Sequence, residues 1–171
     1  IVKSALLKHL IDNNMISSTQ HGFLPGKSTT SNLLEYLDDV TSEVDQGHTV
    51  CAVYTDYSKC FDRIPHHLLL HMLRSRYGIG GAVVDWIEDW LSDRQQRVVL
   101  NGQASKFSKV TSGVIQGSSL GPILALTMLD PIDEELNHCR ASKFADDNKA
   151  YGRVQNEADR SAMQEDLDRI C

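Results

Sequence analysis

Apolar residues fall in short periodic clusters separated by polar breaks. Val2, Leu6, Leu7 and Leu10 recur at helical spacing, and Asn13-Asn14 suits the end of that helix. Residues 20–30, with two Gly and a Pro, interrupt the pattern and read as a loop. Leu33, Leu34, Leu37, Val40 and Val44 return on one helical face, and Gly47 marks a stop. Residues 49–56 form a β-rich run ending in Asp56, the pattern of a buried strand that delivers a carboxylate. Pro65 opens a helix from His66 to about Arg76 with Leu69, Met72 and Leu73 inward, and Val83, Ile87, Trp90 and Leu91 mark another after Gly80-Gly81. Residues 96–101 and 105–111, either side of Asn101-Gly102, predict a hairpin. Residues 119–137 predict a long buried helix that Pro131 kinks or cuts. Ala141–Ala145 and Lys149–Tyr151 predict two short strands around Asp146-Asp147, and Met163, Leu167 and Ile170 share one face of a last helix from Asn156. Helices and strands are mixed without regular βαβ alternation. The expected class is α+β, a small antiparallel sheet covered by helices on one side.

Composition narrows the functional classes. The chain has 171 residues, 41% hydrophobic and 23% charged, which suits one folded domain or a piece of a larger one and excludes a disordered composition. Apolar runs such as Ile123–Leu126 are too short to span a bilayer, so no membrane partner is expected. No secretory signal opens the chain, and the first Met is Met15, so a fragment of a longer polypeptide is expected. A net charge of −6 argues against a free-standing nucleic-acid-binding domain, but not against a nucleic-acid enzyme with basic surfaces elsewhere. Cys51, Cys60, Cys139 and Cys171 lack zinc-type spacing; free thiols in a reducing compartment are the simplest reading, with a disulfide left open.

Three carboxylates draw attention. If the strand ending at Asp56 neighbours those flanking Asp146 and Asp147, all three converge at one sheet end. Clustered carboxylates repel unless a cation sits between them, and Mg²⁺ prefers such hard oxygen ligands. The plainer alternative is a hairpin turn at Asp146-Asp147 and a loop cap at Asp56. Asp38-Asp39, on a helix face, is expected simply to be solvated. Lys59 and Phe61 suit a phosphate contact and a sugar-pocket wall, or equally a surface lysine and a core phenylalanine. Ser112–Pro122 is a glycine-rich loop leading into a helix, where exposed backbone N–H groups suit anions, and Gln116 adds an amide. Gly26-Lys27-Ser28 has the ending of a phosphate-binding loop but lacks its first glycine and preceding strand. His67 and His71 lack a third metal ligand, Ser112, Ser118 and Ser119 lack a nucleophile elbow, and Trp86 and Trp90 read as packing residues.

Together, four blocks in order resemble a reverse transcriptase, with greatest similarity to the non-LTR (LINE-type) retrotransposon kind. They are Gln20–Thr30, Tyr54–His66, Ser112–Pro122 and Lys143–Asp147. The resemblance implies a right-hand polymerase: partial fingers over 1–48, mainly palm over 49–171, some fingers-type insertion around 77–110, and no thumb. It implies Asp56, Asp146 and Asp147 as catalytic carboxylates. Two Mg²⁺ ions, with Mn²⁺ as a substitute, would be held by these residues and the Tyr57 carbonyl. Lys59, Cys60, Phe61, Gln116 and Gly117 would meet the incoming nucleotide, with Phe61 the gate against a 2′-hydroxyl, and Lys27 would touch template or triphosphate. The implied partners are an RNA template, a DNA primer and a dNTP, and the implied setting is intracellular, in nucleus or cytoplasm. The thumb and an endonuclease region would lie in a parent polypeptide, leaving this piece weak or inactive alone. Phe144 stands where the family usually has Tyr, Cys60 for Ala, Ile115 for Pro, and Gly121 for Ser, a change expected to relax the next helix start. Alternatives are a non-catalytic remnant or domesticated fragment, and an intron-encoded or telomerase-like reverse transcriptase.

Overall fold

The helices form where the periodicity places them except beyond Leu129, and most strands run shorter or longer than expected. In the computed structural model, which describes residues 1–170, helix α1 spans Val2–Asp12 and α2 Thr29–Asp45. Strand β1 (Val50–Thr55) follows, then the single turn α3 (Cys60–Arg63), α4 (His66–Ser75) and α5 (Ala82–Leu91). Four two-residue strands come next: β2 (Gln95–Gln96), β3 (Val99–Leu100), β4 (Gln103–Ala104) and β5 (Ser108–Lys109). Helix α6 (Gly121–Leu129) runs into a 3₁₀ segment, Asp130–Glu135, followed by β6 (Arg140–Phe144), β7 (Asp147–Arg153) and α7 (Glu157–Ile170). The class is α+β. No described helix is long and apolar enough to cross a membrane.

The described chain divides into two compact units. The first comprises Ile1–Asn13 and Lys59–Met128. Its core is apolar: Leu6 and Leu10 of α1, Leu69 and Leu73 of α4, Val84 and Ile87 of α5, and Ile123 and Leu124 of α6 are buried. In α1, α4 and α5 these positions recur every three or four residues, so each turns one stripe inward, whereas α6 is buried nearly all round. Tyr77 is buried too, its hydroxyl donating to the Thr127 carbonyl at 2.8 Å. Asn101 and Gly102 both have positive φ and close the β3–β4 hairpin, the conformation for which Asn-Gly is suited. The anticipated long strands reduce to two-residue pairs, with Val98, Val99, Leu100 and Phe107 exposed. The expected 119–137 helix stops at Leu129, because Pro131 has no N–H to continue the α pattern.

The second unit comprises Asn14–Ser58 and the chain from Leu129 onward. It holds an antiparallel sheet in the order β1-β7-β6. Strand β7 begins at Asp147, two residues earlier than expected, because Phe144 pairs with Asp147 and leaves only Ala145-Asp146 as hairpin tip. Helix α2 starts where Ser28 and Ser31 cap it reciprocally: the Ser31 N–H donates to Ser28 Oγ (3.1 Å) and the Ser28 N–H to Ser31 Oγ (2.9 Å). Its apolar face is not its packed face. Leu33, Leu34, Leu37 and Val44 are exposed, while Asn32 is buried. Asn32 Nδ2 donates to Ser142 Oγ (2.8 Å) and the Lys143 carbonyl (3.0 Å), and Tyr36 packs edge-on to Tyr151 at 5.0 Å. Further along, Asp39 accepts from the Tyr151 hydroxyl (2.6 Å) and pairs with Arg140 (3.1 Å), and Glu43 pairs with Arg153 (3.0 Å). Asp39, though partly solvated as expected, is therefore also a docking residue, while Asp38 is exposed. Polar spacing, Asn32-Tyr36-Asp39-Glu43, selects the helix face.

The interior of this unit is itself polar. Lys143, fully buried, donates to the Asp130 carbonyl (2.6 Å) and Asp130 Oδ1 (3.0 Å) and pairs with Asp133 (2.7 Å). Asp166 of α7, also buried, accepts from the N–H groups of Asn137 (3.0 Å), His138 (2.7 Å) and Cys139 (2.7 Å). Burial pushes its carboxyl up, but those three N–H donors outweigh it and bring it down to about 2. Burial beside Asp166 pushes the Cys139 thiol up to about 11. Cys51 and Cys139 are free thiols, Cys60 is buried, and Cys171 lies outside the described residues.

Candidate active site

Strand β1 ends at Thr55, which pairs with Asn148, so Asp56 leaves the strand beside Asp147 at the start of β7. Asp56 and Asp147 are exposed and line one cavity of about 480 Å³, together with Asn32, Tyr54, Phe144, Asn148 and Lys149. Lys149 donates to Asn32 Oδ1 at 2.7 Å and sits over the Tyr36 ring, so an ammonium borders the carboxylates. Asn148 is buried; its Nδ2 donates to the Asp146 carbonyl at 3.2 Å and its Oδ1 has no hydrogen-bond partner among the described residues. Asp146 is half-buried in the hairpin tip and does not line that cavity. The residue before it, Ala145, has φ +58°, a left-handed conformation that costs a side-chain-bearing residue about 1 kcal/mol.

Lys27 belongs to the same unit but to a different surface. Its Nζ donates to the Ser18 carbonyl and lies 3.4 Å from His21 Nε2, and it lines a separate cavity of about 410 Å³ with Glu35 and Arg140. Tyr57, half-buried, follows Asp56.

The remaining sequence candidates lie in the first unit, where the glycine-rich loop is laid against α3. The Val114 N–H donates to the Phe61 carbonyl (2.7 Å) and the Gly113 N–H to the Ile64 carbonyl (2.8 Å). Gly113 has φ +83°, and a Cβ there would stand 2.7 Å from the Asp62 backbone. Ser112 Oγ donates to the Asp62 carbonyl (2.9 Å) and Gln116 Nε2 to Asp62 Oδ1 (3.0 Å). Arg94 Nη2 holds the Gly113 carbonyl at 2.6 Å. Lys59, Asp62, Arg94, Lys109 and Gln116 line an open cavity of about 720 Å³. Cys60 is buried, Phe61 half-buried, and Gln116 and Gly117 exposed, the last with φ +77°. Gly121 does not loosen the start of α6 as expected. A Cβ there would meet Ile115 O and Ser118 Oγ at 2.8 Å, so the glycine permits a tight turn. Sequence reasoning missed Asp62, Arg94 and Gln20; Asp62 lies within the Tyr54–His66 block, but nothing local marked its role as an anchor for Gln116.

His67 and His71 are exposed, and Trp86 and Trp90 stack on each other at 6.3 Å. The family model for reverse transcriptase (RNA-dependent DNA polymerase) matches residues 1–169. The chain belongs to the reverse transcriptase family. The curated relatives it matches are much longer proteins. A COX1/OXI3 intron 2 protein of Saccharomyces cerevisiae is 26% identical over 142 residues, covering 81% of this chain and 15% of that protein. The retrovirus-related Pol polyprotein from type-1 retrotransposable element R2 of Popillia japonica is 30% identical over 92 residues, 54% of this chain and 15% of that protein. A Drosophila melanogaster protein named as a probable RNA-directed DNA polymerase from transposon BS is 25% identical over 124 residues, 72% of this chain and 14% of that protein. The chain thus spans about one-seventh of the relatives' lengths.

Family members use Mg²⁺, and the donor set at the second unit's sheet end fits it. Asp56 and Asp147 offer hard carboxylate oxygens around one cavity, beside the buried, unpartnered Asn148 Oδ1. No three His, Cys, Asp or Glu side chains among the described residues are gathered as a ready-made metal cluster. A cation at this end would therefore keep water or substrate oxygens among its ligands.

Proposed function

We propose that the chain is the palm-centred part, with partial fingers, of an RNA-directed DNA polymerase of the non-LTR retrotransposon kind. The observation that carries this reading is the β1–β7 register, which sets Asp56 beside Asp147 at one end of an antiparallel sheet. The reaction joins a primer 3′-hydroxyl to the α-phosphate of a dNTP and releases pyrophosphate. Bound Mg²⁺, two ions in the full site, supplies a lowered hydroxyl pKa and neutralises phosphate charge. Asp56, Asp146 and Asp147 would hold the metal through carboxylate oxygens, with the Tyr57 carbonyl completing the set.

The candidates in the first unit are those that the family resemblance assigns to the nucleotide. Phe61, whose carbonyl accepts from the Val114 N–H, would supply the ring that excludes a 2′-hydroxyl. Gln116, whose Nε2 donates to Asp62, would offer its amide to base or sugar, and Gly117 leaves room for close approach. Lys59 supplies a cation for the triphosphate, while Lys27 reaches template or triphosphate only by leaving the Ser18 carbonyl. Template pairing chooses the base, so the protein reads shape and charge.

Primer extension on an RNA template with Mg²⁺, using the polypeptide that carries this chain, tests the reading. Asp146→Asn should reduce incorporation by roughly 10²-fold or more, as loss of an electrostatic catalytic group does. An Asp146→Asn enzyme that extends as well as wild type, or a wild type that extends nothing, would sink the catalytic assignment.

A further inference from the structure

We propose that Gln20 is a positioning residue for Asp146: its buried amide clamps the left-handed Ala145 and so fixes the peptide that presents the carboxylate. The inference deepens the metal-site reading above and rests on it. Gln20 has no solvent exposure. Its Oε1 accepts from the Ala145 N–H (2.8 Å) and the Gly22 N–H (2.7 Å), and its Nε2 donates to the Ala145 carbonyl (3.3 Å). One side chain thus engages both backbone polar groups of the tip's first residue. The amide orientation follows from these partners, since exchanging O and N would set donor against donor.

The clamp is aimed by its own backbone. The Lys143 N–H donates to the Thr19 carbonyl (3.0 Å) and the His21 N–H to the Lys143 carbonyl (2.9 Å), so residues 19–21 run as a parallel edge beside β6. At Gly22 this edge comes so close that a Cβ would stand 2.2 Å from the Ala145 nitrogen. The bond from Gln20 Nε2 acts on the Ala145–Asp146 peptide itself, whose plane decides where the Asp146 side chain departs. Ala145 needs such support because its φ of +58° is unfavourable for a residue with a Cβ. Outer residues that orient metal-binding groups typically change metal affinity by about 10- to 100-fold when replaced.

The test uses the 171-residue chain, with Mn²⁺ as a spectroscopic probe titrated by electron paramagnetic resonance, and amide hydrogen exchange read at Ala145. Wild type should bind Mn²⁺, and Asp56→Asn should abolish that binding. Gln20→Met should speed exchange of the Ala145 amide while β1 amides stay protected, and weaken Mn²⁺ binding about 10-fold or more. Adding Ala145→Gly should restore part of the affinity, because glycine adopts the left-handed conformation freely. Gln20→Glu keeps both acceptor contacts but sets a buried carboxylate oxygen against the Ala145 carbonyl in place of the Nε2 donor; it should speed Ala145 exchange and weaken Mn²⁺ binding as well, and it carries the test if Gln20→Met does not fold. Unchanged Ala145 exchange in Gln20→Met would refute the clamp. Faster exchange with wild-type Mn²⁺ affinity would make Gln20 structural only and refute the positioning role. A wild type without Asp56-dependent Mn²⁺ binding would overturn the metal-site reading and the proposal with it, and the wild-type and Asp56→Asn titrations alone reveal that outcome.

Discussion

Replacing Lys143 by Met isolates the worth of the ionic core in the second unit. Met fills most of the space of the lysine stem, so the perturbation is electrostatic and leaves little cavity. What it removes is an ammonium in contact with the Asp130 carbonyl, Asp130 Oδ1 and Asp133 Oδ1, at 2.6, 3.0 and 2.7 Å. Asp130 is 4% exposed, so its charge cannot turn to water when the cation goes. Each carboxylate keeps neutral donors on its other oxygen: the Ser17 N–H for Asp130 (2.8 Å), and the Ser17 and Thr19 hydroxyls for Asp133. Those donors stop short of cancelling two neighbouring negative charges. Removing one partner of a buried ion pair costs about 3–5 kcal/mol. Against a typical total of about 5–15 kcal/mol, that is a large share of the stability. Urea unfolding monitored by circular dichroism should show a markedly lower midpoint with an unchanged slope. The triple variant Lys143→Met/Asp130→Asn/Asp133→Asn should regain at least half of the loss, since no uncompensated charge remains. A Lys143→Met stability within about 1 kcal/mol of wild type would refute the account, because only an exposed pair is worth so little.

Two further outcomes are expected. The folded Asp166 carboxyl titrates near 2 against an ordinary 3.8, so its stabilisation is complete above about pH 4 and is lost as pH falls toward 2; the difference is worth about 2 kcal/mol. Thermal melts of wild type and Asp166→Asn should differ most near neutral pH and converge near pH 2, and parallel curves would count against the three-N–H anchor. Gly113→Ala places a Cβ 2.7 Å from the Asp62 backbone at φ +83°, and should cost roughly 2 kcal/mol or more while freeing Gln116 from Asp62. A Gly113→Ala melt indistinguishable from wild type would show that the loop has room to move.

Much of the candidate site is legible in the residue pattern. A β-rich run ending in Asp56, and an Asp pair between two short strands, imply converging carboxylates if the strands are neighbours. The β1–β7 register supplies that condition, with Asp56 and Asp147 as joint liners of a cavity that Asp146, at the hairpin tip, does not line. Local chemistry also set the helix ends and the Asn101-Gly102 turn, because caps, prolines and positive-φ residues act within a few residues of themselves.

The sequence by itself determined the family, the mixed class, the helix periods and the order of the chemical blocks. It misjudged which side of α2 is buried, because apolar patterning assumes an apolar partner. In the second unit the partner is a polar one: Asn32, Asp39 and Glu43 meet Lys149, Tyr151, Arg140 and Arg153, and Leu33, Leu34 and Leu37 stay exposed. Only the tertiary structure revealed that Gln20 reaches Ala145, 125 residues along the chain, and that Lys143 is sealed between two aspartates. Hydrophobic burial is a property of single residues and leaves a period in the sequence. A buried hydrogen bond or ion pair belongs to two residues at once, and its worth depends on a distance that the fold alone decides.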